Sequence, residues 1–176
     1  VASDYDSRTT VVALLITLWG VRLTYNFARR GGYTGMEDYR WAVLQERITN
    51  PVIWQLFNFF FISIYQNLLF VLFTLPVYVL YMMRGEAAGP AFWAGAVAFV
   101  LFLLYETTAD QQQWNFQLAK ERDTGHGEYV QHTQDIRRGF RTTGLFRLSR
   151  HPNYFAEIMI WWSVYSMGTT AVGSVI

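Results

Sequence analysis

The segment Gly144-Leu-Phe-Arg-Leu-Ser-Arg-His-Pro-Asn-Tyr-Phe-Ala-Glu157 gathers guanidinium, imidazole, amide, phenol and carboxylate groups in one short stretch. It follows a basic, Gly-containing loop and leads into a run of membrane-grade hydrophobicity. Pro152 suits the first turn of a helix, where its missing N–H costs nothing. Ser149 or His151 then caps that helix, and Asn153 onward is helical. The positive helix end lies beside Arg147, Arg150 and His151. Free backbone N–H groups, the helix dipole and guanidinium forks together favour an anion. An anion site at the mouth of a membrane helix suits a phosphorylated or carboxylated cofactor that reaches a lipid-facing pocket.

Other residues carry two readings each. Asp110 follows an apolar span, Glu106 precedes it by one turn, and Gln113 and Gln117 share its helical face. A carboxylate there accepts hydrogen bonds from a ribose or an adenine amine, or it solvates a helix end. Arg137, Arg138 and Arg141 either clamp a phosphate or contact lipid headgroups as ordinary loop cations. Asn153 and Glu157 share a face, and an intramembrane Glu turns to a partner or a cavity rather than to lipid. Gln66 and Asn67 lie inside an apolar span, where amides more often hydrogen-bond between helices than hold a ligand. Arg22 and Asn26 share a face at the end of another span, and snorkelling to the headgroups is the ordinary behaviour of such an Arg. His126, His132 and His151 match no metal-ligand spacing, and there is no cysteine, so no metal site is expected.

These groups need helices to hold them. The chain has 176 residues, 52% hydrophobic and 18% aromatic, with only 15% charged. Soluble domains carry roughly 25% charged residues, and here the deficit is local, in long uncharged stretches. The reading is a single all-α membrane domain over 1–176, a polytopic bundle of about four spans with an amphipathic interfacial helix. The spans are 9–27, 52–75, 91–109 and 153–176, each near the roughly 20 residues that cross a bilayer. Pro76 should break the second, leaving an interfacial tail. Loops 28–50 and 110–152 hold 11 of the 14 Lys and Arg. A single crossing by span two puts both on one side, cytoplasmic or matrix by the positive-inside rule. Trp41, Leu44 and Ile48 recur at helical spacing within 36–48, which reads as a helix lying in the interface. Segment 122–144 reads as loop. The chain starts at Val1, and we read it as a portion of something longer. The net charge of +1 gives no reason to expect nucleic acid.

Leu145-Phe-Arg-Leu-Ser-Arg-His-Pro-Asn-Tyr-Phe-Ala-Glu157, preceded by Asp110-Gln-Gln-Gln-Trp-Asn-Phe116, resembles the steroid 5-alpha-reductase superfamily. Trp19-Gly-Val-Arg-Leu23 and Glu37-Asp-Tyr-Arg-Trp41 are similar to motifs of its less characterised multi-pass branch, so the resemblance covers nearly the whole chain. It implies a helical membrane fold that admits NADPH from the cytosolic side and passes hydride to a flat, lipophilic enone. By position, Glu106 and Asp110 match polar residues near the nucleotide, and Arg138 a basic residue near its phosphates. Arg147, Arg150 and His151 join that phosphate end, and Asn153, Tyr154 and Glu157 match the segment beside the nicotinamide. Three departures stand out. Ala156 replaces the usual Gly, the basic C-terminal segment of the family is not in this chain, and substrate-polarising residues of the family lie upstream of it.

Two further functions compete with the reductase. One is a non-catalytic subunit of a larger membrane complex, such as a mitochondrial one, with Phe57-Asn-Phe-Phe-Phe61 and Trp161-Trp162 as packing surfaces. The other is an S-adenosylmethionine-dependent carboxyl methyltransferase, whose isoprenylcysteine-modifying members have a similar Arg-His-Pro-x-Tyr element. The expected partners are lipids, a lipophilic small molecule if the protein is an enzyme, and neighbouring subunits if it is not. Endoplasmic reticulum, mitochondrial inner membrane and bacterial plasma membrane all fit the sequence.

Overall fold

A computed structural model describes residues 6–34, 39–82, 84, 85, 87–122 and 133–173, and every regular element among them is helical. The order is α1 (Ser7–Arg29), α2 (Tyr39–Arg47), α3 (Pro51–Phe57), a π-helical segment (Asn58–Tyr65), α4 (Gln66–Met82), α5 (Pro90–Arg122), α6 (Thr133–Arg138), a 3-10 turn (Gly144–Arg147) and α7 (Pro152–Gly173). Three helices among the described residues are long and apolar enough to cross a membrane: α1, the continuous helix Pro51–Met82, and α5. The protein is therefore an all-α, polytopic integral membrane protein. Helices are the expected solution, since hydrocarbon offers no partner to an unsatisfied backbone group. α7, with 22 residues, has the length of a crossing helix.

Local sequence explains where the helices start. The Asp6 carboxylate accepts the Thr9 N–H at 2.9 Å and the Thr9 hydroxyl at 2.6 Å, capping α1. Asn50 accepts the Val52 N–H at 2.9 Å, and Pro51 takes the first helical position of α3. The expected break at Pro76 does not occur, and the helix continues to Met82. Proline removes one backbone hydrogen bond, whereas ending the helix within an apolar run would strand several. The π segment upstream is marked by an N–H from Gln66 to the Phe61 carbonyl, five residues back. Along this stretch Phe57 stacks on Phe61 at 5.1 Å, and Phe61 on Tyr65 at 5.5 Å. The Asn67 amide bonds to the Ser63 carbonyl of its own helix, not between helices as the sequence suggested.

Where an amphipathic helix was expected over 36–48, a helix is observed over Tyr39–Arg47, and residues 35–38 lie outside the described ones. Its periodicity is as read: Trp41, Leu44 and Ile48 are half-buried, while Ala42, Val43, Gln45, Glu46 and Arg47 are exposed. Trp41 meets Trp54 edge to face at 6.4 Å. On α1, Asn26 is buried and Arg22 half-buried.

The chain divides into two compact units, Val1–Ala87 with Ala171–Ile176, and Ala88–Thr170. In the first, α1 lies against α4, and Val12, Leu15 and Leu80 are buried. The Gly85 N–H reaches Asp6 at 3.3 Å and ties the turn after α4 to the start of α1.

The second unit carries the residues singled out above. α5 and α7 run antiparallel: the backbone of Gly95 faces Met167, Ser166 and Ser163, Phe102 and Tyr105 meet Phe155, and Asp110 meets Asn153. α5 contributes the buried row Phe92, Ala96, Phe99, Glu106, Ala109, Asp110, Phe116 and Ala119, at i+3 and i+4 spacings. α7 contributes Ala156, Ile160, Val164 and Met167. With 33 residues, α5 is about 50 Å long against a hydrocarbon core of about 30 Å. Its polar residues from Glu106 onward mark the end that extends past the apolar layer.

Gly95 tests this seam. A Cβ there would lie 2.7 Å from Met167 Cγ and 3.4 Å from the Ser163 carbonyl, so a flexible methionine could yield to one methyl but not to a branched side chain. Gly95→Leu is expected to lower stability by about 1–3 kcal/mol through overpacking. Gly20→Ala, with nothing within 4 Å of its new Cβ, should be neutral or slightly stabilising. Thermal unfolding of both variants in one detergent checks this, and equal effects would contradict the packing described.

Candidate functional site

Glu106 and Asp110 sit one turn apart on α5, on the same stripe as Phe99 and Phe116. That stripe is buried, so both carboxylates are buried with it, at 4% and 5% exposure. Burying such groups is costly unless they are hydrogen-bonded. Asp110 Oδ1 accepts from Asn153 Nδ2 at 3.4 Å. Asn153 is in place because α7 begins at Pro152: the Ser149 hydroxyl accepts the His151 N–H at 3.2 Å, and the His151 carbonyl accepts the first helical bond, from Phe155, at 3.0 Å. Both residues expected at the helix start therefore contribute to it.

Asn153, Glu157 and Trp161 form a half-buried row beside the fully buried Pro152, Ala156 and Ile160. The Trp161 ring N–H donates to Glu157 at 3.0 Å, giving that carboxylate a partner within its own helix. Ala156 has no exposed surface, so its methyl group is part of the core. Tyr154 is 66% exposed, and Arg147, Arg150 and His151 are exposed around the turn that leads to Pro152.

The loop before that turn is more ordered than its composition suggested. Asp135 accepts the Thr142 hydroxyl at 2.5 Å and the Thr143 hydroxyl at 3.2 Å. The Arg138 guanidinium donates to the Thr142 hydroxyl at 3.3 Å. Arg141 donates through Nε to the Thr143 carbonyl at 3.1 Å and through Nη1 to the Gln112 carbonyl at 2.6 Å, with its guanidinium 6.0 Å from the Phe146 ring centre. The Leu145 N–H donates to Gln112 Oε1 at 3.0 Å. Gly144 has φ +66°, and a Cβ there would lie 2.5 Å from Gln112 Oε1. The three arginines read together as a clamp thus differ: Arg141 is engaged by backbone carbonyls, while Arg137 and Arg138 are exposed. Segment 122–144, read as loop, contains α6, and its residues 123–132 lie outside the described ones, together with His126 and His132.

Burial lowers the pKa of Arg141, and the nearby Asp135 charge opposes that without reversing it. For Asp135, burial raises the pKa, but hydrogen bonds from the Thr142 hydroxyl and N–H and the Thr143 hydroxyl outweigh it, with help from Arg138, and hold the carboxyl below its ordinary range. Among the described residues, no group of three His, Cys, Asp or Glu is placed to hold a metal ion.

Gln112, Asp135, Arg141 and Gly144 did not stand out as a group in the sequence. Their contacts join positions up to 33 residues apart, which no local periodicity reports. The sequence did mark Gly144 directly before the motif, Arg141 in a basic cluster and Gln112 within a Gln run, but nothing in it paired them.

The sign of the Asp135 shift makes an acid test. Its folded pKa is below the unfolded 3.8, so its contribution is fully present above about pH 3.8 and is lost as pH falls through the folded value. Wild type should lose thermal stability over that acid range more steeply than Asp135→Asn. Parallel curves would show that the bridge contributes nothing to folding.

Asp110, Asn153, Glu157, Arg138 and the Gln112 contacts all lie within the Ala88–Thr170 unit. The chain is 39% identical over 175 residues to an uncharacterized protein of Schizosaccharomyces pombe, C594.04c, a match covering 96% of this chain and 51% of that protein. The chain thus spans about half the length of this relative. No solved structure matches it. The sequence profile of the family described as protein of unknown function DUF1295 matches residues 1–175, and the chain belongs to that family.

Proposed function

We propose that this chain forms the membrane-embedded core of a 5-alpha-reductase-like protein that binds NADPH and reduces the electron-poor double bond of a flat, lipophilic enone. The observation that carries this reading is the Asp110–Asn153 hydrogen bond. It joins two motifs 43 residues apart in the chain, with Glu106 buried one turn away. The donor set fits a dinucleotide. Buried carboxylates at Glu106 and Asp110 suit ribose hydroxyls or an adenine amine, and the exposed cations Arg138, Arg147, Arg150 and His151 suit phosphates. Asn153, Tyr154 and Glu157 complete the set at the nicotinamide end. When bound, the cofactor supplies the hydride, and the protein's task is to bind, orient and shield it.

In this reading α7 is the fourth crossing and α2 lies in the interface. The loops 28–50 and 110–152 share the cytoplasmic or matrix side, consistent with their basic residues.

A second reading has its own support. The most apolar stretch of Pro51–Met82 has no fully buried residue within this chain's fold, so much of its surface is offered to lipid or to another subunit. A non-catalytic subunit of a membrane complex, mitochondrial or otherwise, would use such a helix for assembly.

The deciding experiment is a titration of NADPH into the protein purified in mild detergent, followed by nicotinamide fluorescence. Saturable binding is expected, with Arg138→Ala and Asn153→Ala each weakening it about ten-fold, the range for loss of a charge-assisted or buried hydrogen bond. Unchanged affinity in both variants would rule out this site assignment. No binding, together with elution in a larger assembly, would favour the subunit. Saturable binding of S-adenosylmethionine instead would favour a methyltransferase.

A further inference from the structure

We infer that Gln112 and Arg141 are positioning residues: they fasten the 144–147 turn to α5 and thereby set the approach of Asn153 to Asp110. This rests on the reading of the Asp110–Asn153 site as the NADPH site, and adds residues that touch no cofactor.

Gln112 is tied twice, from two different points of the loop. Its side-chain oxygen accepts the Leu145 N–H at 3.0 Å, and its backbone carbonyl accepts Arg141 Nη1 at 2.6 Å. Two ties to one residue constrain rotation of the turn as well as its distance from the helix. Arg141 is itself steadied by the Thr143 carbonyl and the Phe146 ring. Gly144 makes the approach possible. Its φ of +66° aims the next N–H at α5, and its missing Cβ leaves the space that Gln112 Oε1 occupies.

The tie lies close to the site on both strands of the closure. Gln112 is two residues past Asp110, and Leu145 is eight residues before Asn153. The chain therefore closes a small ring: Asp110 to Gln112 along α5, across to Leu145, through the turn to Pro152 and Asn153, and back to Asp110. Losing the Gln112 side-chain tie leaves the loop held to α5 through Arg141 alone, with the turn before Asn153 freer to swing. Arg147, Arg150 and His151 are carried on that same turn, so the release also displaces the cations proposed for the phosphates.

The test uses the full chain in detergent and two measurements, NADPH affinity by nicotinamide fluorescence and hydrogen exchange across residues 144–148. Wild type should show a protected Leu145 amide. Gln112→Leu removes the acceptor; it should lose that protection and bind NADPH about ten-fold more weakly, with little change in the unfolding midpoint. Gln112→Glu keeps an acceptor oxygen and should restore both. Wild type that binds NADPH, with a Gln112→Leu variant that binds equally well, overturns the positioning role and leaves the cofactor site standing. Wild type that binds no NADPH, even with Leu145 protected, overturns the cofactor reading and the role built on it. If Gln112→Leu does not fold, wild-type exchange decides: an unprotected Leu145 overturns the inference, and protection together with full binding by Gln112→Glu supports it.

Discussion

Two carboxylates buried on an otherwise apolar helix stripe constrain everything around them. Glu106 and Asp110 continue the α5 stripe on which Phe99 and Ala96 lie about two and three turns before Glu106. A carboxylate cannot replace a phenyl ring there at no cost. The facing helix must bring polar groups to the same depth, and α7 does so by starting where it does. Pro152 begins the helix, so Asn153 is directed toward Asp110 in its first turn. Further along the seam, where Gly95 lies near Met167 and Ser163, the contact is small and close-packed. The seam is thus divided into a packed apolar part and a polar end.

The loop between α5 and α7 serves that polar end. Asp135 gathers Thr142 and Thr143, Arg141 reaches back to Gln112, and the turn at Gly144 folds onto the same residue. Each contact satisfies a backbone or side-chain group that would otherwise need water close to an apolar layer. Basic loops of membrane proteins are often read as topology signals alone. Here Arg141 is engaged in internal structure, while Arg137 is exposed.

The other unit has a different character. The helix Pro51–Met82 runs through its proline and through a π-helical stretch with stacked Phe57, Phe61 and Tyr65. Hydrocarbon surroundings favour this continuity, because a broken helix would expose carbonyls with nothing to bond. Among its described residues, Arg8, Val12, Leu15 and Leu80 are buried in the parts of α1 and α4 nearer the Asp6–Gly85 contact, and Asn26 is buried near the other end of α1.

By itself the sequence determined the helical membrane fold class, the approximate positions of the three most apolar helices, the half-buried face of Tyr39–Arg47 and the start of α7 at Pro152. Each depends on local composition, on helical periodicity or on a proline at a fixed position, and such signals are complete within one or two turns of chain. The motif residues around 110 and 153 were also legible, as two separate groups. Only tertiary structure decided that Asp110 and Asn153 meet and that Arg141 and Gln112 join loop to helix. The continuation through Pro76 was likewise invisible, because local propensity argues for a break and the surroundings oppose it. Pairing across dozens of residues depends on how two helix faces pack, and a one-dimensional pattern shows each face without its partner.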